Sequence, residues 1–212
     1  MIRIFLLRHG ETTWNVEGRY QGQEDTPLSE KGIAQGKAAA KALKDIPLDR
    51  IIASPLSRAV DTANFTAALH HMPVITDERL TEISHGRWEG VYADAIKKAY
   101  PKEFALWHEA PHKVQMPGGE ALRDVEKRAA SALSDYVTQC NRKTILLCAH
   151  DAVNKVILCH ILGLPLSSFW QFKQDNACIN CIEYDKKRWR LVTMNHTAHL
   201  GFLVSGTDQK GL

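Results

Sequence analysis

Three short apolar runs, at residues 2–7, 50–53 and 144–149, constrain this chain more than any other feature. None alternates polar with apolar, so a strand formed from any of them is apolar on both faces and must be covered on both. Helical patterns fill the gaps. From residue 30, Ile33, Ala34, Ala38, Ala42 and Leu43 recur at helical spacing until Pro47, with Ser29 as the expected N-cap and Leu28 as a staple before it. Ser54 reads as a cap and Pro55 as the first residue of a helix running to about residue 70. Residues 74–76 suggest a short strand, and 92–100 and 102–109 two short helices separated by Pro101. The stretch 120–139 carries one buried stripe, Leu122, Val125, Ala129, Leu133 and Val137. A helix over 152–162 is closed by Gly163, and strands are expected at 177–184 and 190–194 around a hairpin loop at 185–188. The pattern predicts an α/β fold, a mostly parallel central sheet flanked by helices on both faces. With no internal repeat or linker, residues 1–212 read as a single domain.

Composition removes whole function classes. The formal net charge is only +3, and Arg3, Lys186, Lys187, Arg188 and Arg190 form no stripe with interleaved aromatics, so nucleic acid is not an expected partner. No apolar run approaches the roughly 18 residues of a membrane span, and the N-terminal run, broken by Arg3, reads as a strand rather than a leader. The 5 cysteines form an odd set, as expected of reduced, buried thiols in a cytoplasmic protein. Cys178 and Cys181 have CxxC spacing but no second pair, which favours core packing. His108/His112, His70/His71 and His196/His199 do not make a convincing metal set, so no metal is expected. Trp88, Trp107, Trp170 and Trp189 read as core or interface aromatics, and Trp170 with Phe172 reads equally as a homodimer contact.

The chemistry lies where three segments leave expected parallel strands at their C-terminal ends, the place where open α/β sheets bind ligands. These are Arg8-His9-Gly10-Glu11-Thr12, Ser54-Pro55-Leu56-Ser57-Arg58 and Ala149-His150. Two arginines, two histidines and a helix N-terminus converging on one point describe a site for a compact dianion such as a phosphate. The planar arginine fork offers two parallel hydrogen bonds to phosphate oxygens. A histidine nitrogen can take the phosphoryl group as nucleophile, provided that it is neutral. Its second nitrogen is then most simply fixed by a backbone carbonyl, with Gly10 supplying room. The leaving alkoxide needs a proton, and Glu82, its pKa raised by burial, is the best donor. Nothing resembles a metal-binding carboxylate cluster; the arginines take the cation's place, and no cofactor is called for.

Taken in order, Arg8-His9-Gly10-Glu11-Thr12 with Asn15, Asp25-Thr26-Pro27-Leu28-Ser29, Ser54-Pro55-Leu56-Ser57-Arg58 with Thr62, Glu82 ahead of Gly86-Arg87-Trp88-Glu89-Gly90, Pro117-Gly118-Gly119-Glu120, and His150 resemble the histidine phosphatase (phosphoglycerate mutase-like) superfamily. The resemblance covers nearly all of residues 1–200. It implies that His9 is phosphorylated, that Arg8, Arg58 and His150 bind the phosphoryl group, and that Glu82 is the general acid and later the base. Asn15, Gln21, Gly22, His85 and Asp151 are the further substrate-binding positions. The substrate implied is a small phosphorylated metabolite.

Within the superfamily the chain resembles most the metal-independent phosphoserine phosphatase branch, through Glu82-Ile83-Ser84-His85-Gly86, Glu109-Ala110-Pro111-His112-Lys113-Val114, Asp175-Asn176-Ala177 and Asn195-His196-Thr197-Ala198-His199-Leu200-Gly201. His85 stands where many relatives carry an aromatic, and its imidazole suits a substrate carboxylate. Asp151 departs from the small residue usual after the second histidine. It either turns away towards Lys155 or pairs with a substrate ammonium. Phosphoserine is therefore the first candidate substrate, with α-ribazole phosphate and a glycosylated phosphoglycerate as alternatives. A phosphoglycerate mutase would use the same chemistry, but the short stretch between Glu82 and Pro117 favours a more open, hydrolytic site. A non-catalytic phosphate-binding module would need neither His9 nor Glu82.

Overall fold

The two-sided apolar runs do become the middle of a sheet. The computed structural model describes residues 1–206, so residues 207–212 of the expected domain lie outside the described residues. The strands are β1 (Ile2–Arg8), β2 (Arg50–Ala53), β3 (Val74–Thr76), β4 (Thr144–Ala149), β5 (Ile179–Asp185) and β6 (Arg188–His196). They form one six-stranded sheet in the order β3-β2-β4-β1-β5-β6. β1, β4, β2 and β3 run parallel; β5 and β6 complete the sheet antiparallel. The helices are α1 (Thr13–Glu17), α2 (Glu30–Leu43), α3 (Ser57–His70), α4 (Ala93–Ala99), α5 (Pro101–Glu109), α6 (Leu122–Gln139) and α7 (Asp151–Leu162). The hairpin turn between β5 and β6 is only Lys186 and Lys187, both at positive φ, as a two-residue turn that follows the strand twist requires.

Each central strand faces two cores. Ile2, Ile4 and Leu6 of β1 join Ile145, Leu147 and Ala149 of β4 against α6 and α7. Leu7, Leu146 and Cys148 point the other way, against the alanines of α2 and α3. That division is why the runs could not alternate.

The stripe expected on α2 is corrected. Ile33 is exposed, and the buried face is Gly32, Gly36, Ala39, Ala40 and Leu43. The reason is close approach. A Cβ on Gly32 would stand 1.9 Å from the Glu11 carbonyl oxygen, and one on Gly36 2.7 Å from the Phe65 ring. Only glycine lets α2 lie against α3 and the loop after β1.

The aromatic tail also folds inward. Phe172 is buried, and the half-buried Trp170 donates its indole N–H to the Trp107 carbonyl at 2.6 Å. Cohesion of the core therefore accounts for these two residues. All five cysteines are free and buried. No helix among the described residues is long and apolar enough to cross a membrane.

Candidate active site

Register brings the three chemical segments to one level. Arg8 pairs with Ala149, and Ala53 with Cys148, so β1, β4 and β2 end together. The chain continues the pattern one residue further: His9 N–H donates to the Ala149 carbonyl, and Ser54 N–H to that of Cys148. His9, Ser54 and His150 are thus neighbours at the strand ends, with the His9 and His150 rings 5.1 Å apart. Arg8 and His9 are 2% exposed, Glu82 2%, Arg58 and His150 0%. The site is therefore more enclosed than the short stretch after Glu82 suggested. The loop before α2 covers Arg58, through the carbonyls of Gly22 and Glu24.

His9 is held as the chemistry requires. Its Nδ1 lies 2.7 Å from the Gly10 carbonyl, which can only accept, so Nδ1 carries the proton and Nε2 keeps its lone pair. Burial, with the Arg58 and Arg8 charges, holds the ring far below its ordinary value, hence neutral. Gly10 does supply room: a Cβ there would stand 2.4 Å from the Gly32 carbonyl oxygen. Its N–H donates to the Thr62 hydroxyl, itself bonded to the Arg58 carbonyl, which ties this loop to α3.

Arg58 donates to the carbonyls of Gly22 and Glu24 at 2.7 and 2.8 Å. Its buried Nε has no protein partner, and burial lowers its proton affinity to about 10. Arg8 donates through one terminal nitrogen to the Gln174 carbonyl at 2.5 Å.

His150 Nε2 stands 2.7 Å from the Ser54 hydroxyl, and its Nδ1 has no partner. This corrects the reading of Ser54 as a helix cap. α3 begins at Ser57, and its first amide is taken by Asp25, whose Oδ1 accepts from Ser57 N–H and hydroxyl at 2.8 and 2.7 Å. The first amide of the expected anion-binding helix terminus is therefore already taken by a carboxylate.

Glu82 accepts from Ile83 N–H at 2.9 Å and from Ala152 N–H, in the first turn of α7, at 3.2 Å. Burial first, then the nearby Asp151 charge, raise its proton affinity; the two amides and Arg58 oppose this. Asp151 does turn towards Lys155: its Oδ2 lies 2.8 Å from Nζ, while its Oδ1 is 3.6 Å from Arg8.

The remaining expected positions divide. Asn15 completes the capping box of α1 with Thr12 and receives Asn176 Nδ2 at 3.2 Å. Gln21 Oε1 accepts from the Thr12 and Thr26 hydroxyls. Gly22 has φ +54°, with Glu89 where a Cβ would go. His85 does not face the two arginines; it is 0% exposed, its ring packed among Tyr20, Trp88 and Trp107, both nitrogens without a partner. Among the described residues no group of three or more His, Cys, Asp or Glu could hold a metal ion.

The model of the histidine phosphatase superfamily, branch 1, matches residues 4–197. The chain belongs to that superfamily. Phosphoserine phosphatase 1 of Hydrogenobacter thermophilus is 38% identical over 201 residues, 95% of this chain and 95% of the relative. Among solved structures, Bacillus stearothermophilus YhfR superposes with a TM-score of 0.91 at 33% identity, covering 94% of this chain and 100% of that one. A mutant phosphoserine phosphatase from Entamoeba histolytica, in complex with phosphoserine, gives 0.86 at 28%, covering 94% and 100%. This histidine phosphatase is a phosphomonoesterase acting on a small phosphorylated substrate.

Sequence reasoning missed a clamp in this histidine phosphatase. Arg128 of α6 donates to the carbonyls of Arg79, Thr81 and Glu82 and to the Glu120 carboxylate, which in turn receives Ser84 N–H at 2.9 Å. Every link is tertiary, so helical spacing carried no trace of it. The only available signal was a basic residue two turns beyond the Pro-Gly-Gly-Glu segment.

Proposed function

We propose that the enzyme hydrolyses small phosphomonoesters through a phosphohistidine at His9, with phosphoserine as the first substrate. The observation that carries this is the His9–Gly10 hydrogen bond, which supports a free lone pair on Nε2. In this reading Nε2 attacks phosphorus, forming the N–P bond as the P–O ester bond breaks. The proton of Glu82 passes to the leaving alkoxide. Glu82 then takes a proton from water, the resulting oxygen attacks phosphorus, the N–P bond breaks and inorganic phosphate leaves. Arg8, Arg58 and His150 bind the equatorial oxygens, where charge is concentrated. Asn15, Gln21 and Gly22 shape the approach.

One observation favours a substrate with a carboxylate: relatives named phosphoserine phosphatase match along 94–95% of the chain. The five buried free thiols support a cytoplasmic location. The apolar, exposed Val192 and Met194 on edge strand β6 are where a homodimer would form. Residues 1–212 are read as one domain.

The test is phosphate release from L-phosphoserine, 3-phosphoglycerate, α-ribazole phosphate and a glycosylated phosphoglycerate, with chelator present. Selective turnover of phosphoserine that vanishes in His9→Ala is expected. Mutase activity on 3-phosphoglycerate without phosphate release would move the reading to a phosphoglycerate mutase.

A further inference from the structure

Asp151 and Lys155 form an ion pair that the reaction described above does not require. Both are fully buried, and Nζ stands 2.8 Å from Oδ2 across one turn of α7. The ammonium lies over the rings of Trp170 and Phe169, 4.4 and 4.9 Å from their centroids. Burying two charges beside an anion site is costly, and a pair that only filled space would be replaced by apolar residues without loss.

Position argues for more. Asp151 follows His150 directly and precedes Ala152, whose amide holds Glu82. Its second oxygen is turned to Arg8 at 3.6 Å. One residue therefore reaches two groups of the proposed phosphate site, Arg8 through its carboxylate and Glu82 through its neighbour's amide. Both its oxygens face cations of the protein, which disfavours the alternative that it awaits a substrate ammonium.

We infer that Asp151, locked by Lys155 on one side and facing Arg8 on the other, is a positioning residue that orients Arg8 and, through the start of α7, the Glu82 carboxyl that the Ala152 amide holds. The inference rests on the phosphohistidine reading. The charged groups that act on Glu82 are Asp151 and Lys155 from α7 and Arg58 from α3, while Arg128 from α6, paired with Glu120, reaches its carbonyl. Asp151 is the anion among them, and its charge acts in the same direction as burial, against ionisation of Glu82. Lys155 moderates that effect. Loss of Asp151 and loss of Lys155 should therefore push Glu82 in opposite directions, which a merely structural pair would not do.

The experiment is the pH profile of kcat for Asp151→Asn and Lys155→Met on a phosphomonoester that the wild type hydrolyses, with thermal unfolding as a check of folding. For Asp151→Asn the alkaline limb is expected to move down by about one pH unit, with about a tenfold lower kcat above it and a raised KM from the loosened Arg8. For Lys155→Met the limb is expected to move up. Either shift in a folded variant supports the inference, so failure of one variant to fold leaves the other to decide. A limb at the wild-type position in every variant that folds, with only the unfolding temperature changed, overturns it. Wild-type protein that releases no phosphate from any ester overturns the phosphohistidine reading and this inference with it, a result distinct from an unchanged limb in an active enzyme.

Discussion

The hydroxyl of Ser54 stands 2.7 Å from Nε2 of His150 and joins the end of β2 to the start of α7. It is the one hydrogen bond the structure gives the His150 ring, whose neutral form is favoured by burial and by the Arg58, Arg8 and Arg128 charges. In the proposed reaction, this hydroxyl sets which face of that imidazole meets a phosphate oxygen.

Replacing Ser54 by alanine should leave the fold intact and free the ring to turn. We expect a loss of about 1–3 kcal/mol in stability, from a buried nitrogen left unpaired, and a KM raised about tenfold with a smaller change in kcat. Chemical denaturation and steady-state kinetics check both; an unchanged KM would remove Ser54 from the account.

Gly32→Ala is expected to damage the site from a distance. Its Cβ would meet the Glu11 carbonyl oxygen at 1.9 Å, and backbone cannot yield as a side chain can. The loop carrying His9 must move, at a cost of roughly 1–3 kcal/mol or more. Activity should fall further than Ile33→Ala, on the exposed face of the same helix, makes it fall.

In the proposed mechanism, the pH dependence of phosphoryl transfer to His9 follows from two opposed shifts. His9 is held well below 6.5, so attack by the neutral ring survives into acid. Glu82 is raised above 4.5, so the proton for the leaving group persists above the ordinary carboxylate range and is lost as pH rises through the raised value. Single-turnover rates should fall on that alkaline side. Glu82→Gln should abolish the limb and lower the rate by about 10²–10⁴-fold.

His85 makes stability depend on acid pH. Burial lowers its pKa to about 3, so the folded protein keeps it neutral while the unfolded chain protonates it below about 6.5. Stability from this group is full above pH 6.5 and is lost as pH falls from there towards about 3. His85→Phe should flatten the fall in unfolding temperature across that window. It should also weaken turnover of phosphoserine relative to an aryl phosphate; equal losses on both substrates would separate His85 from the carboxylate.

Arg128→Lys tests the clamp on the acid loop. A lysine cannot reach three carbonyls and the Glu120 carboxylate together. A kcat about tenfold lower with little change in KM is expected, because the acid rather than the phosphate cradle is displaced.

What the sequence disclosed depended on the range of the signal. β1 and β4 were legible because burial on both faces leaves unbroken apolar runs, and Arg8, His9, Arg58 and His150 because each sits at or just beyond a strand end or in a first helical turn. The buried stripe of α2 was misread, since apolar spacing pointed to Ile33 while close approach selected Gly32 and Gly36. Ser54 was misread because a serine before a proline looks like a cap, whereas its partner lies 96 positions away. Asp25 is the cap instead, from 32 positions upstream. Asp151 was the reverse case: i, i+4 spacing alone named Lys155.

The position of β1 fixes the order in which this protein can become active. It precedes the other five strands in the chain, yet its neighbours on both sides are β4 and β5, and the backbone of His9 is tied on one side to Ala149 and on the other to Ala177. A nascent chain emerging from the ribosome therefore carries its proposed nucleophile on an unpaired apolar strand until residues 144–185 have been made. Such long-range pairing is slow to form and exposed to aggregation until it does. Chaperone dependence should accordingly be greatest before residues 144–149 appear, and reactivity should arrive late and all at once.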